Sequence, residues 1–350
     1  MSDHTTIFEE KWWYQAATDG KWQQIEFSDG RSLNATLIFA KHQVRGSTII
    51  GMPAMARVMQ PKISFESNRP KEYVSDSVNA IRGLSALLPK FDQFKYTLPP
   101  DSKLDIAFNL SGYSVAANYT FRTDPSGNHD PWAAMERKVR YKIKNGSKRV
   151  GVEVHNDILR YIRLSSQFIG RRAFTDITDY DAVLRVWEAC HARKQASILS
   201  CVDGNGHDLA SAILIWDDRH LYYWLSCRDP EVNDSAANSI LIWNAIEFSQ
   251  KAGLIFDMDG YATPDAGVFL SRFGLLPHRR FDISMINSAA RLRAAFSSHV
   301  VGLVGPGLRR KLLTARNVIY PRKAIPSGQT DDSRMRAPGN ATLSLDRDPA

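Results

Sequence analysis

The chain has 350 residues, of which 43% are hydrophobic and 23% are charged. This composition is that of a folded protein, and the length corresponds to about two domains at roughly 150 residues each. The sequence has no apolar run of the ~20 residues that a membrane span needs, no signal-peptide pattern, and too few cysteines for a disulfide framework, so we expect a cytoplasmic protein. The net charge of +8 favours anionic partners.

The first half of the chain is predicted to form three strands, a long helix, a strand, a short helix and a further strand. Apolar runs bounded by turn residues define the strands. In chain order the elements are strands 22–27, 33–40 and 48–52, helix 75–88, strand 91–98, helix 103–109 and strand 113–122.

A basic helix is predicted between the two halves. From Arg137 to Arg149 the sequence has seven basic and no acidic residues. Helical spacing aligns four apolar side chains in one stripe: Trp132, Met135, Val139 and Ile143. A ridge of three basic residues lies on another face: Arg137, Arg140 and Lys144. The helix is expected to end near Asn145 and Gly146, and the alternative role of the ridge is a merely solvated surface.

The second half repeats the order of the first. Its elements are strands 196–202, 209–216 and 221–227, helix 235–251, strand 254–259, helix 264–273 and strand 281–286, which is expected to close the second unit. An antiparallel meander followed by helix, strand, helix and strand is typical of an α+β, or mixed α/β, fold. A repeat of this length predicts two copies of one domain.

The C-terminal part of the sequence is basic and then polar. Residues 283–330 contain eight basic and no acidic residues. This region combines basic and apolar residues, which is consistent either with packed helices that have solvated arginines or with peripheral contact to an acidic membrane. Residues 324–350 are rich in small and polar residues, and we expect them to be disordered.

Three segments of the sequence stand out together: Trp12-Trp13, the basic helix and strand of 132–154, and the FDMDGYATPDAGVFLSRFG block of 256–274. They resemble the GNAT superfamily of N-acyltransferases, in the doubled form of Fem-type peptidoglycan-bridge transferases and their relatives in polysaccharide operons. The resemblance covers about residues 8 to 320. It implies two tandem GNAT-like domains, each a central, mostly antiparallel sheet flanked by helices: residues 1–128 and 151–323, joined by 129–150 and followed by the tail 324–350.

The resemblance implies an enzyme that transfers an activated acyl group. GNAT enzymes take it from acyl-CoA or from an acyl carrier protein, and Fem-type enzymes take it from aminoacyl-tRNA. The function expected here is transfer from acyl-CoA, as co-substrate, to an amine or hydroxyl of a cell-envelope polysaccharide or related precursor. The acceptor would be an anionic sugar nucleotide or a lipid-linked sugar, reached at the inner membrane surface. No permanently bound cofactor and no metal are expected.

The donor is expected along strand 221–227 and at the start of the following helix. Helix N-termini bind phosphates because their amides and dipole favour an anion. The candidate donor-binding residues are Ser226, Asn233, Ser235, Ala236 and Ala237. The loop lacks the glycines of a full GNAT phosphate loop, and its polar residues are equally consistent with ordinary helix caps.

Asp257 and Asp259 are the candidate catalytic carboxylates. At positions i and i+2 of a strand they would point to the same side, where they could orient or deprotonate an acceptor amine. Alternatively, one caps the next turn and the other pairs with Arg272 or Arg279. Of the two, Asp259 is expected to be the more exposed.

Tyr223 is a third candidate catalytic residue, as a general acid near the thioester, or else a core aromatic residue. The basic ridge (Arg137, Arg140 and Lys144) and Arg272 are candidates for binding the acceptor between the two copies. Fem-type sequences resembling this block place a lysine where this chain has Leu270, which disfavours tRNA as donor. Besides the tRNA-dependent transferase, a binding protein without catalysis on the same scaffold is the remaining alternative.

Overall fold

The computed structural model describes residues 5–44, 46–64, 70–171, 179–229, 231, 236–261 and 263–287. All of them belong to the compact unit Met1–Asn287. The predicted tail and the basic segment from residue 288 onwards, with its proposed membrane contact, lie outside the described residues. No helix within the described ranges is both long and apolar enough to cross a membrane.

The described residues form helices and strands in alternation. Their bounds are α1 Lys11–Ala17, β1 Trp22–Ser28, β2 Asn34–Val44, β3 Ser47–Gly51, β4 Lys62–Ser64, α2 Pro70–Leu87, β5 Gln93–Leu98, α3 Asp105–Leu110, β6 Ser114–Arg122, α4 Pro131–Ala134, α5 Arg137–Gly146, β7 Gly151–His155, α6 Ile158–Arg171, α7 Tyr180–His191, β8 Ala196–Val202, β9 Asp208–Trp216, β10 His220–Arg228, α8 Ala236–Lys251, β11 Ile255–Asp257, α9 Pro264–Leu270 and β12 Leu276–Ile286.

The predicted order of elements is present in both halves. Local signals explain several helix starts: the side chains of Asp130, Asp179 and Thr263 each accept a backbone N–H in the first turn of α4, α7 and α9. Proline stands at the first position of α4 and α9, where its missing N–H costs nothing. Elements α1, β4, α6 and α7 are not among those predicted.

The strands form one continuous sheet in the order β1-β2-β3-β5-β12-β6-β11-β10-β9-β8-β7, with β4 beside β2. The described strand pairs are antiparallel apart from β3 with β5 and β10 with β11. Each of these two parallel pairs is connected through a long helix, α2 in the first half and α8 in the second. The repeated order in the sequence therefore corresponds to two equivalent parts of one sheet.

The last strands of the two halves have exchanged places. By its position in the repeat β12 should lie beside β11, yet it pairs with β5 and β6 of the first half. In return, β6 pairs with β11 through Arg122 and Asp257. The predicted strand at 281–286 is present within β12, but its neighbours belong to the first half, because the order of elements along a chain does not determine which strands become neighbours.

Two groups of buried apolar side chains surround the sheet. The first joins the N-terminal segment to both halves, and in it the ring of Trp13 meets Phe8 and Trp224 edge to face at 4.9 and 5.5 Å. The second lies between α5, α8 and strands β8 to β11. A Cβ atom on Gly146 would come within 2.8 Å of Ala236 and Ile240, so the end of α5 lies directly against the first turns of α8.

The predicted connecting helix is two helices, because Met135 adopts an extended conformation with φ −62° and ψ 142° between α4 and α5. Met135, Val139 and Ile143 of the predicted apolar stripe are nevertheless buried in the second core, and Trp132 packs against it. The predicted end of the helix at Asn145-Gly146 is confirmed.

Candidate functional site

The candidate site lies where the parallel strands β10 and β11 separate. They pair only over His220–Tyr222 and Ile255–Asp257, and β11 ends there while β10 continues to Arg228. Ligands of sheets with helical crossovers bind at the carboxyl ends of parallel strands. The separation of these two strands provides such a position in the second half.

A β-bulge interrupts β10 at the same level. The pairing of β10 with β9 shifts register between Tyr223 and Leu225, which leaves Trp224 as the extra residue. The carbonyl oxygen of Trp224 accepts a hydrogen bond from Nη2 of Arg57 at 2.8 Å. The indole Nε1 of Trp224 donates to the carbonyl of Met55 at 3.1 Å. The loop between β3 and β4 thus reaches from the first half to the bulge.

Asp257 is buried and fully engaged. Nε of Arg122 donates to its Oδ2 at 2.6 Å, and its Oδ1 accepts from the hydroxyl of Thr120 and, at 2.8 Å, from the amide of Asp259. Burial raises the pKa of Asp257, but Arg122 and these hydrogen bonds outweigh burial and hold the pKa below its ordinary value. Of the alternative interpretation, the turn cap is present, since Asp257 accepts the amide of Asp259. The expected arginines are not the partners: Arg122 pairs with Asp257, whereas Arg272 lies beside Glu136 and Arg279 lies over the ring of Phe281.

Asp259 stands just beyond the strand, in the left-handed region at φ 60°. The i and i+2 argument therefore does not apply to it, and its side chain, at 4% exposure, is as buried as that of Asp257. Nε of Arg57 lies 2.8 Å from its Oδ2, and Nη1 of Arg280 donates to its carbonyl at 3.5 Å. Burial raises the pKa of Asp259 to about 7, an effect that Arg57 and Arg280 oppose and Asp257 reinforces.

Gly260 allows Arg280 to approach this turn. Its φ of +83° suits glycine, and a Cβ atom there would collide with Nη2 of Arg280. The DMDG segment is therefore a tight turn that presents two buried carboxylates to three arginines: Arg57, Arg122 and Arg280.

Tyr223 lies in the second core, and its neighbours Tyr222 and Trp224 lie in the first, as alternation along the strand predicts. Its hydroxyl donates to Oδ1 of Asn238, in the first turn of α8, at 3.4 Å. Burial raises the pKa of Tyr223 above its ordinary value. The hydroxyl therefore stays protonated at neutral pH and is able to donate a hydrogen bond or to act as an acid, but not as a base.

The candidate donor-binding residues are partly described. Ser226 is exposed on β10, whereas the side chains of Ala236 and Ala237 are buried in the second core, so only their backbone can face a ligand. Asn233 and Ser235 lie outside the described residues.

The candidate acceptor-binding residues lie on or beside the helix α5. Arg140 donates to the carbonyls of Trp132 and Ala133, and Nζ of Lys144 lies 5.8 Å from the Trp132 ring. Arg137 is exposed, and Arg272 lies 3.3 Å from Glu136. In the described part of the chain, none of these basic residues forms a hydrogen bond or ion pair with Asp257 or Asp259.

The cations that do surround the two carboxylates were missed by the sequence analysis. Arg57 comes from a loop, Arg122 from β6 and Arg280 from β12, three segments without a common motif. The exchange of β6 and β12 brings the last two together, and no local pattern in the sequence indicates this exchange.

Comparison with known proteins places this geometry in a structural class. Residues 133–264 match the family model described as an acetyltransferase (GNAT) domain. The crystal structure of FemX is similar with a TM-score of 0.57 at 14% identity, over 80% of this chain and 93% of that chain. The fold is the GNAT fold. The prediction of a mixed α/β fold built from GNAT-like domains is thereby confirmed, and the site at β10, β11 and α8 lies inside the matched residues.

Two further solved structures are similar to the GNAT-fold chain. The C-terminal domain of a putative lysylphosphatidylglycerol synthetase from Agrobacterium fabrum has a TM-score of 0.49 at 14% identity, over 82% of this chain and 96% of that chain. A tandem GNAT protein from the clavulanic acid biosynthesis pathway has a TM-score of 0.48 at 11% identity, over 76% and 83%. No curated protein matches the sequence.

Proposed function

We propose that the protein transfers an acyl group from acyl-CoA to an amine or hydroxyl of a cell-envelope polysaccharide or related precursor, in the cytoplasm or at the inner membrane surface. The observation that carries this proposal is the separation of the parallel strands β10 and β11 beside the bulge at Trp224, within the residues that match a GNAT domain. No strand pairs with β10 on its β11 side after Tyr222 in the described residues, so this edge can bind an extended pantetheine arm.

The donor's phosphates would lie at the start of α8. The amides of a helix N-terminus and its dipole favour an anion, and the backbone of Ala236 and Ala237 forms the first described turn. Gly146 at the end of α5 packs on this turn. The contact with α5 therefore helps to hold the start of α8 in place.

The reaction would depend chiefly on positioning. The acceptor nitrogen or oxygen attacks the thioester carbonyl carbon, the carbon–sulfur bond breaks, and the sulfur leaves with a proton that the acceptor loses. Holding both reactants in line supplies much of the rate enhancement in such transfers. Tyr223, which keeps its proton, would lie on the donor side and donate to the thioester in place of Asn238. The turn with Asp257 and Asp259 would define the acceptor side.

A thermal-shift titration with acetyl-CoA, a longer acyl-CoA and free CoA tests the donor. A ligand that binds only the folded state stabilises it by about 2.7 kcal/mol at a hundredfold excess over its dissociation constant. Ser226→Trp should abolish the thermal shift, because the indole would block the edge of β10 where the donor binds. Ser28→Trp, at an exposed serine on the edge strand β1, should leave the thermal shift unchanged. No shift with any of the three ligands would refute acyl-CoA as donor.

Aminoacyl-tRNA is the second candidate donor. The resemblance to Fem-type sequences and the exposed basic residues of α5, such as Arg137 and Lys138, favour it. Leu270 opposes it, since this side chain packs against the second core where a lysine would serve transfer. Filter binding of tRNA at several salt concentrations decides: affinity that falls steeply with salt and falls further in Arg137→Glu, Lys138→Glu supports this donor.

A further inference from the structure

A loop of the first half is fastened to the strand of the second half that forms the candidate site. The carbonyl of Met55 accepts a hydrogen bond from the indole of Trp224, and the side chain of Arg57 donates one to the carbonyl of Trp224. Met55 adopts φ 65°, a conformation that non-glycine residues seldom adopt. The two contacts hold the loop at the bulge itself.

The bulge explains why an arginine stands there. An extra residue in a strand leaves its backbone groups without partners in the neighbouring strand, and a buried carbonyl needs a donor. Nη2 of Arg57 supplies the donor for Trp224. The same guanidinium places its Nε 2.8 Å from the carboxylate of Asp259.

The edge of the guanidinium formed by Nε and Nη2 contacts the protein, at Asp259 and at the carbonyl of Trp224. The end formed by Nη1 and Nη2 remains available to a ligand. Nη1 of Arg57 has no hydrogen-bond partner among the described residues. The Arg57 side chain is 35% exposed, against 5% for Arg122, and Arg280 is buried. Arg57 is therefore the cation of this cluster that a ligand can reach, and a guanidinium end with two N–H groups matches a phosphate or carboxylate.

The proposed donor and acceptor sites lie on opposite faces of strand β10. Tyr223 and the first turn of α8, where the donor's phosphates are proposed to bind, lie in the second core. Trp224 and Met55 pack with the first core, on the opposite face of β10. A group that meets Arg57 therefore approaches from the side away from the donor's phosphates.

We propose that Arg57 binds an anionic group of the acceptor, a phosphate or a carboxylate, and that Asp259 and the carbonyl of Trp224 orient its guanidinium. This inference rests on the proposed transfer only in calling the ligand an acceptor. It assigns to Arg57 the substrate contact that the sequence assigns to the basic ridge of α5. Asp259 is then a positioning residue, in keeping with its buried side chain.

Calorimetric titration of the full chain with inorganic phosphate and with UDP-N-acetylglucosamine, a sugar nucleotide, tests the site. Because hydrogen bonds to charged groups are stronger than those between neutral groups, Arg57→Gln should raise the dissociation constant at least tenfold. Arg57→Lys, which keeps the charge and loses the fork, should be intermediate. Arg82→Gln is the matched control, since exposed Arg82 also donates to a carbonyl, that of Leu110. Wild-type affinity in Arg57→Gln, or no anion binding by the wild type, would overturn the proposal.

Asp259→Asn separates orientation from simple charge. At pH 8, above the pKa of about 7 of Asp259, removing its negative charge next to an anion site should by electrostatics alone tighten binding, whereas loss of the group that orients Arg57 should weaken it. We expect weaker binding, and tighter binding would overturn the positioning role. This variant and Arg57→Lys carry the test if circular dichroism shows that Arg57→Gln does not fold.

Titration with free CoA identifies the source of the anion. If Arg57→Gln weakens CoA binding as much as it weakens sugar-nucleotide binding, Arg57 contacts the donor and the assignment to the acceptor fails. The anion titrations require no acyl transfer. A wild type that ignores every acyl-CoA but binds phosphate through Arg57 would therefore refute the proposed function and leave the anion site standing.

Discussion

Arg122 donates through Nε to Asp257 at 2.6 Å where the two halves of the sheet meet. Both side chains are about 5% exposed or less, so their charges depend on each other rather than on water. Removal of one partner of a buried ion pair leaves an unpaired buried charge. This pair therefore joins β6 of the first half to β11 of the second.

Asp257→Asn should destabilise the fold by about 3–5 kcal/mol, because Arg122 then loses its buried counter-ion. Urea denaturation measures the loss. Asp101→Asn is the control: its carboxylate lies 3.6 Å from the same arginine but is 86% exposed, so the change should stay within about 0.5 kcal/mol. Equal effects of the two variants would contradict the role given to Asp257.

Gly260→Ala should destabilise the protein more than a glycine-to-alanine change at a positive φ normally does. Alanine at a positive φ costs about 1–2 kcal/mol, and here its Cβ would also displace Arg280 from the turn. Gly253→Ala is the matched control, with φ +67° and no atom within 4 Å of the added Cβ. We expect Gly260→Ala to exceed the control by about 1–3 kcal/mol in denaturation, and equal losses would exclude a tight contact with Arg280.

The stability of the protein should decrease with increasing pH because of Asp259. Its pKa is about 7 in the folded state and about 3.9 in an unfolded chain. Between these values the folded state holds a proton that the unfolded state has released, so the free energy of unfolding falls as pH rises and then levels off. Asp259→Asn should remove this part of the pH dependence, as measured by urea denaturation from pH 4 to 8.

Arg57→Gln should extend the same decline to higher pH, because Arg57 lowers the pKa of Asp259. Arg280, Asp257 and Arg122 also face Asp259 and remain in this variant. A pH profile identical to that of the wild type would show that Arg57 and Asp259 are not coupled.

Gly146→Ala tests the contact between α5 and α8. In a helix this substitution ordinarily stabilises by about 0.5–1 kcal/mol, but here the new Cβ would meet Ala236 and Ile240 at 2.8 Å. We expect a loss of stability and weaker acyl-CoA binding, since the first turn of α8 must shift. Asn145→Ala, on the same helix, should leave CoA affinity unchanged in a thermal-shift titration.

Local sequence patterns predicted the elements of both halves well. Apolar runs and turn residues located β8, β9 and β10 within a residue or so of their observed bounds. Such patterns specify the type of an element and the face it buries. They do not specify which strand lies beside it, and the position of β12 between β5 and β6 could not be predicted for this reason.

The site was predicted only in part for the same reason. The block around Asp257 and Asp259 was found by its motif, but its electrostatics depend on arginines that tertiary structure brings from a loop and two distant strands. Asp259 is the more exposed residue of the two, as expected, but its side chain is as buried as that of Asp257, because the chain leaves the strand after Asp257 and turns this side chain inward.

The place of β12 has a consequence for synthesis on the ribosome. The nascent first half emerges with one edge of β5 unpaired, because β12, which covers that edge, is translated more than 150 residues later. An unpaired strand edge is a site for wrong pairing. The first half therefore stays prone to aggregation, or depends on chaperones, until β12 has been translated and pairs with β5. A gene fragment that ends at residue 128 should therefore yield aggregates, even though every strand and helix native to that half is encoded in it.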